Sequence, residues 1–285
     1  MNKKLPPRFL PAPMEGIMRG CFCKVAAEMG LVDGWFTNFL RINSAGRLPD
    51  KTLKEFLAPF LTTPIPVFVQ LMGDNGELIA ETASRLLEIS SGIAGFDLNL
   101  GCPSHAVVRH PGVGGGVWKN PEIPLQVLSA MRERLGPGVV LSIKCRTGNE
   151  DFRECIPWIP QWVEAGRLDW ISVHYRTVKE GYRQIDKKER SKRFAAVAAC
   201  TSVPLWLNGD FQTLEEAEEE IDRISAPAAG ALLGRSWLKS PGIFRSIPAE
   251  KAALEFYNRA VNHPDGISRG HRIELGKWLL GEIIL

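Results

Sequence analysis

The chain has 285 residues, 45% of them apolar and 24% charged, with a net charge of +3. That composition excludes a disordered polymer, and the length suits one large α/β barrel of about 250 residues with a small appendage. The charge admits a polyanionic partner without demanding one. No stretch approaches the roughly 20 apolar residues of a membrane span, and the N-terminus, Met1-Asn-Lys-Lys-Leu-Pro-Pro7, lacks an apolar signal core. Six cysteines include no Cys-x-x-Cys pair. The expectation is a reduced, cytoplasmic, monomeric protein without a membrane segment, disulfide or metal site.

In chain order, short apolar runs predict eight strands: Phe9–Pro13, Trp35–Asn38, Val67–Leu71, Gly95–Asn99, Val139–Lys144, Asp169–His174, Pro204–Asn208 and Gly230–Gly234. Helical patterns lie between them, at Asn75–Ser90, Pro121–Leu135, Phe152–Ala165 and Leu214–Ile224. Pro121 suits a first helical turn, and Thr213 precedes an acidic one. Strands alternating with helices predict a (β/α)8 TIM barrel over residues 1–245. Beyond it the texture changes. Two helices, 249–261 and 268–285, flank Asn262-His-Pro-Asp-Gly266 and predict a short all-helical C-terminal segment, 246–285, ending in an apolar run from Trp278.

A TIM barrel gathers its chemistry at the C-terminal ends of its strands. Here those ends carry Met14, Asn38, Gln70, Asn99, Lys144, His174, Asn208 and Gly234. Cys102 follows one of them in a Gly-Cys-Pro turn, ahead of a glycine run, Gly112-Val-Gly-Gly-Gly116, that must let backbone approach something closely. A thiol of ordinary pKa, about 8.5, is protonated at neutral pH and can act as a general acid. The other five cysteines read as ordinary core residues. Lys144 ends an apolar strand, where an unpaired ammonium is expensive. It suits either an electron-rich ring that accumulates negative charge or a Schiff base. Asn208-Gly209-Asp210 and Gly234-Arg235 follow the last two strands, where barrels commonly hold a phosphate. The basic stretch Arg183–Arg193, with Lys3, Lys4 and Arg8, suits either an RNA backbone or a solvated helix face.

Seven segments in register over residues 9–245 carry a family resemblance. They are Ala12-Pro-Met-Glu-Gly16, Val69-Gln-Leu71, Asp97-Leu-Asn-Leu-Gly-Cys-Pro103, Ser142-Ile-Lys-Cys-Arg146, Val173-His-Tyr-Arg-Thr177, Leu207-Asn-Gly-Asp210 and Leu233-Gly-Arg235. This pattern resembles the tRNA-dihydrouridine synthases, and the opening segment with Asn38-Phe-Leu-Arg41 is most similar to their bacterial C-type branch. The resemblance implies FMN as cofactor, NADPH (or NADH) as reductant, and tRNA as substrate, with the 5,6 double bond of a D-loop uridine, position 16, reduced. It implies Cys102 as proton donor. Pro13, Met14, Gln70, Lys144, His174, Asn208, Gly209, Asp210, Gly234 and Arg235 would hold FMN. Asn38, Arg41, Asn99, Arg146 and Arg176 would face the substrate. The helical segment 246–285 would be a shortened tRNA-binding domain. Tyr175, Ser236, His105 and the Arg109-His-Pro segment depart from the family pattern, and Tyr175 is expected to crowd the flavin or substrate. Two other readings stay open: a flavin barrel acting on a small pyrimidine-like substrate, and a non-catalytic tRNA-binding remnant.

Overall fold

The computed structural model describes residues 3, 5–18, 21–42, 46–60 and 63–281. Nine strands form one parallel sheet: β1 (Phe9–Pro11), β2 (Trp35–Phe36), β3 (Leu40–Arg41), β4 (Val67–Met72), β5 (Ile93–Leu100), β6 (Val140–Arg146), β7 (Trp170–His174), β8 (Leu205–Asn208) and β9 (Ala228–Leu233). Their order is β1-β9-β8-β7-β6-β5-β4-β2, with β3 also paired to β4. The two ends of this order, β1 and β2, approach each other at the seam. Each of the eight expected strands is present, and the architecture is a (β/α)8 barrel. The extra strand, β3, resumes the second one after a break at 37–39 and pairs Leu40 with Leu71.

The strand pleat sorts side chains between two apolar compartments. Leu10, Phe36, Phe68, Val140, Trp170 and Trp206 pack inside the barrel as a separate cluster from the large one outside it. Their rings make a floor at the N-terminal end: Phe36 and Phe68 lie 5.6 Å apart, Phe68 and Trp170 6.0 Å, Trp170 and Trp206 5.0 Å. Gly230 makes room for it, since a Cβ there would stand 2.3 Å from the Trp206 indole nitrogen. The outward faces of the strands pack on the helices, as a parallel sheet covered on both sides requires.

The helix signal at Thr213 acts as expected, its side chain accepting the N–H of Glu216, and Asn75 accepts that of Leu78 in the same way; Pro121 stands ahead of its helix, which begins at Ile123. The helix expected at Phe152–Ala165 is divided into a 3-10 turn, Phe152–Cys155, and a helix, Ile159–Gly166. Pro157 and Pro160 lie in this segment, and each removes a donor and restricts the residue before it.

Past residue 245, helices Ala249–Val261 and Arg269–Leu279 form. They dock on the barrel. Phe256 meets Phe22 edge-on at 4.7 Å, and His271 Nε2 lies 2.7 Å from the carbonyl oxygen of Ile17. Phe256 and Leu275 thereby join the same apolar cluster as Trp35 and Trp237. Residues 282–285 of the expected last helix lie outside the described residues, as does Lys4. No helix among the described residues is long and apolar enough to cross a membrane.

Candidate active site

The strands deliver polar groups to the barrel interior at every second position, above the aromatic floor. One layer up stand Gln70, Asp97, Ser142, Ser172 and Asn208, all buried. Above them Asn99, Lys144 and His174 face a cavity of about 1170 Å³ at the C-terminal ends of the strands. Of the sixteen residues singled out in the sequence, fifteen line it: Pro13, Met14, Asn38, Gln70, Asn99, Cys102, Lys144, Arg146, His174, Arg176, Asn208, Gly209, Asp210, Gly234 and Arg235. Arg41 does not. It sits exposed at the end of β3, outside the lining.

A chain of hydrogen bonds runs beneath the cavity. The Ser142 hydroxyl donates to Asp97 Oδ1 (2.7 Å), and Gln70 Nε2 donates to Asp97 Oδ2 (2.8 Å). Asn99 Nδ2 donates to Gln70 Oε1 (2.9 Å), and Asn99 Oδ1 accepts the backbone N–H groups of Gly101 (3.1 Å) and Cys102 (3.0 Å). Burial pushes the Asp97 carboxyl up to about 6, while its bonds to Ser142 and Gln70 pull the other way. The sequence reading stopped at Asn99. Asp97 stands two residues earlier on the same face of β5, so strand periodicity was the signal for it.

The Asn99 carbonyl therefore pins the turn that carries Cys102. The glycine run closes on that turn from behind: Gly115 N–H donates to the Cys102 carbonyl at 2.9 Å, and a Cβ on Gly115 would come within 2.6 Å of the same oxygen. The close approach signalled by these glycines is thus to the cysteine loop itself. Burial raises the Cys102 thiol above the ordinary range, and nearby Glu15 raises it further. The thiol is protonated at neutral pH. All six cysteines are unpaired; Cys21, Cys23, Cys145 and Cys155 are buried and Cys200 half-buried.

Lys144 pairs with Asn99 across the β5–β6 ladder. Burial, with Arg146 nearby, lowers its ammonium to about 8. Among the described residues it makes no hydrogen bond or ion pair. Burial likewise holds His174 well below its ordinary pKa, with Arg146 and Lys144 adding to the effect. Its Nδ1 accepts the Arg176 N–H at 3.2 Å, which leaves the proton of the neutral ring on Nε2.

At the far end Asp210, in left-handed backbone geometry (φ 52°), gathers three partners. Its carboxylate pairs with Arg176, accepts from Arg235 at 2.8 Å, and accepts the Tyr175 hydroxyl at 2.8 Å. Burial acts to raise its pKa, but these partners hold it below the ordinary carboxylate value. Nη1 of Arg176 is buried without a partner among the described residues. Tyr175 does not crowd the cavity. Its ring is fully buried behind the wall, stacked on His174 at 5.4 Å.

Arg146 and Arg176 are tied to backbone more than the sequence suggests. Arg146 donates to the carbonyls of Gly101 (3.0 Å), Thr177 (3.0 Å) and Gly181 (3.3 Å), and Arg176 Nε donates to that of Arg183 (2.8 Å). Between the last two acceptors Tyr182 stands at the cavity rim, 64% exposed. Nothing in the local sequence marked this tyrosine, nor Trp278, which brings the C-terminal helix to the cavity wall. The basic stretch Arg183–Arg193 is divided. Arg183, Lys187, Lys188 and Lys192 are exposed. Arg190 and Arg193 turn inward to Glu216 (3.0 Å) and Glu180 (2.7 Å), so a uniformly solvated face is not what forms.

The sequence profile of the family described as dihydrouridine synthase (Dus) matches residues 10–262. Among characterised relatives named tRNA-dihydrouridine(16) synthase, that of Haemophilus ducreyi is 28% identical over 96% of this chain and 85% of its own length. Those of Cupriavidus necator and Escherichia coli O157:H7 are each 30% identical, covering 82% and 95% of this chain and 71% and 87% of their own. Among solved structures, a 2-naphthoyl-CoA reductase complex superposes with a TM-score of 0.57 at 11% identity, over 82% of this chain and 49% of its own. A variant of NCR from Zymomonas mobilis superposes with a TM-score of 0.54 at 14% identity, over 94% and 91%. These two likenesses concern the fold alone.

Proposed function

Because the chain belongs to the dihydrouridine synthase family, a family of oxidoreductases acting on CH–CH bonds, we propose that it reduces a uridine of tRNA, at position 16 of the D-loop, with FMN as cofactor and NADPH as reductant. The observation that carries this reading is that one cavity is lined both by Cys102, whose buried thiol is held protonated, and by Lys144, whose ammonium has no partner among the described residues.

The residues present fit FMN. The cavity, at about 1170 Å³, exceeds the usual 300–1,000 Å³ of a small-molecule site and has room for a cofactor and a base. Lys144 offers a charged donor without a protein acceptor, suited to the ring edge where negative charge gathers. Pro13, Met14 and Gln70 line the same wall. The phosphate belongs at the other end, with Asn208, Gly209, Gly234, Arg235 and the orphaned Nη1 of Arg176. A Cβ on Gly234 would meet nothing nearer than 3.8 Å, so that backbone is open to a ligand. When bound, FMN reduced by NADPH supplies the hydride.

The chain's own groups do the rest. Cys102 holds a proton on Sγ and gives it to the second carbon of the reduced bond. Asn99 keeps the thiol's loop in place, and neutral His174 contributes an N–H without adding charge. A uridine in folded tRNA must be unstacked and turned into the barrel, at a cost of a few kcal/mol. Exposed Lys187 and Lys239 in the cavity lining, Arg183 between the lining residues Tyr182 and Gln184, and Trp278 of the helical segment would offset that cost through the RNA backbone and bases.

The test is direct. Purified protein loaded with FMN should lose its flavin bands when given NADPH and, once NADPH is spent, regain them on addition of unmodified tRNA. One uridine should gain two hydrogens by mass spectrometry. Failure to bind flavin under any loading would overturn the reading in favour of a tRNA-binding remnant. Turnover of a free pyrimidine but not of tRNA would move it to a small-molecule barrel.

A further inference from the structure

We propose that Asp97, which does not touch the cavity, is a positioning residue that fixes the polarity of Gln70 and Asn99 so that both face the cavity as hydrogen-bond donors only. The inference rests on the reading of the cavity as a flavin and uridine site, but its geometry stands apart from it.

Asn99 Oδ1 is committed to two backbone N–H groups, those of Gly101 and Cys102. That leaves its amide nitrogen toward Gln70, where it donates to Oε1. Gln70 must then present Nε2 at its other side, and Asp97 Oδ2 receives it. Oδ1 of Asp97 accepts from Ser142. Every oxygen of the chain has a partner inside the protein. Among the described residues, the hydrogens left without an acceptor are one N–H on Gln70 and one on Asn99, both cavity-lining residues, while Gln70 Oε1 is turned toward Asn99. An amide can reverse without changing shape, and reversal of Gln70 would face its nitrogen to that of Asn99 and its oxygen to the Asp97 carboxylate. The acceptor-only carboxylate at one end and the loop N–H pair at the other therefore forbid it.

Each such donor takes a carbonyl oxygen or bare ring nitrogen of a ligand and is left unpaired against an amino group. Uracil offers an oxygen at C4 where cytosine offers an amino group. A buried donor set against an amino group leaves both unpaired, which is the strong form of discrimination. Asp97 thus acts on base choice from one pleat below the site.

A double-mutant cycle tests the idea. Asp97→Asn can keep the polarity, with its oxygen toward Gln70 and its nitrogen toward the Ser142 hydroxyl, which is free to turn toward the Phe96 carbonyl 3.4 Å away. It should hold FMN within about threefold of wild type. Asn99→Asp places an acceptor against Gln70 Oε1 and should lower the melting temperature by several degrees and FMN affinity by tenfold or more. Adding Asp97→Asn to Asn99→Asp lets the whole chain reverse, so the double variant should recover most of the melting temperature. It should still reduce uridine at least a hundredfold more slowly, since position 99 now presents an acceptor. Where Asn99→Asp does not fold, Gln70→Glu, which sets one carboxylate against another, serves instead, with Asp97→Asn as its rescue. Additive losses in both cycles would overturn the proposal. Wild type that binds no FMN would sink the flavin reading, while the melting-temperature cycle would still decide the role of Asp97.

Discussion

The guanidinium of Arg235 lies 4.9 Å from the ring centre of Tyr182, on the rim of the cavity. The ring is exposed, yet the backbone on both sides is tied to buried arginines, Gly181 to Arg146 and Arg183 to Arg176. Such a ring has little conformational freedom left to lose when a base stacks on it, and base–aromatic stacking is worth about 1–3 kcal/mol. Tyr182→Ala should raise KM for tRNA roughly 5- to 100-fold and leave kcat and FMN affinity near wild type, with Tyr182→Phe close to wild type throughout. Steady-state kinetics with unmodified tRNA would show it, and an unchanged KM in the alanine variant would remove Tyr182 from the RNA contact.

Cys102→Ala should retain FMN and its reduction by NADPH but lose dihydrouridine formation by about 10²- to 10⁴-fold, the usual worth of a general acid. Its burial also sets a pH profile. The active form is the protonated thiol, present below its pKa, and that pKa is raised. Tritium or mass-spectrometric assay of product should therefore show turnover persisting into alkaline solution beyond the range of an ordinary thiol before it falls.

Lys144 destabilises the ligand-free fold. Its ammonium titrates near 8 in the folded chain against 10.5 ordinarily, so the unfolded state binds more protons between those values and stability rises with pH across them. The penalty is complete below pH 8, on the order of 3 kcal/mol, and absent above 10.5. Lys144→Met should raise the melting temperature of the FMN-free protein at pH 7, flatten that pH dependence, and weaken FMN binding. Calorimetry with and without FMN measures all three, and a lower melting temperature in the variant would contradict the assignment.

Asp210→Ala strands Arg176, whose side chain is 1% exposed and already carries an unpartnered nitrogen. Leaving a buried charge without its partner costs roughly 3 kcal/mol, and Asp210→Asn, whose one amide oxygen can still accept from Arg176 and Tyr175 at the Oδ2 position, should cost less. The folded-state pKa of Asp210 is depressed, so the stability it adds is present above its ordinary value of 3.8 and is lost as pH falls below it. Urea denaturation at pH 7 and pH 3 separates the two variants, and equal stability of Asp210→Ala and wild type at pH 7 would refute the pairing.

The residues legible in the sequence were those at strand ends. Asn99, Lys144, His174 and Asn208 each follow an apolar run, and the barrel geometry leads directly from that position to the cavity. One pleat deeper, Asp97 and Ser142 obey the same period of two, but they sit inside runs otherwise apolar and their purpose appears only when β4, β5 and β6 are laid side by side. Arg146 and Arg176 were found as cavity residues and their tethers were not, because the acceptors lie on a loop some 30 residues downstream or on Arg183. The division of the basic helix was equally out of reach: whether Arg190 and Arg193 turn inward depends on Glu216 and Glu180, which other elements supply. Pro157 and Pro160 were visible, and the break between 155 and 159 was a boundary that the helical pattern concealed.

The floor of Phe36, Phe68, Trp170 and Trp206 has a kinetic meaning. It blocks the bottom of the barrel, so on the proposed reading NADPH and tRNA would both reach the cavity by the doorway above Cys102 and Lys144. The enzyme would work in alternation, one visitor leaving before the next arrives, and double-reciprocal plots against tRNA at several NADPH concentrations would run parallel.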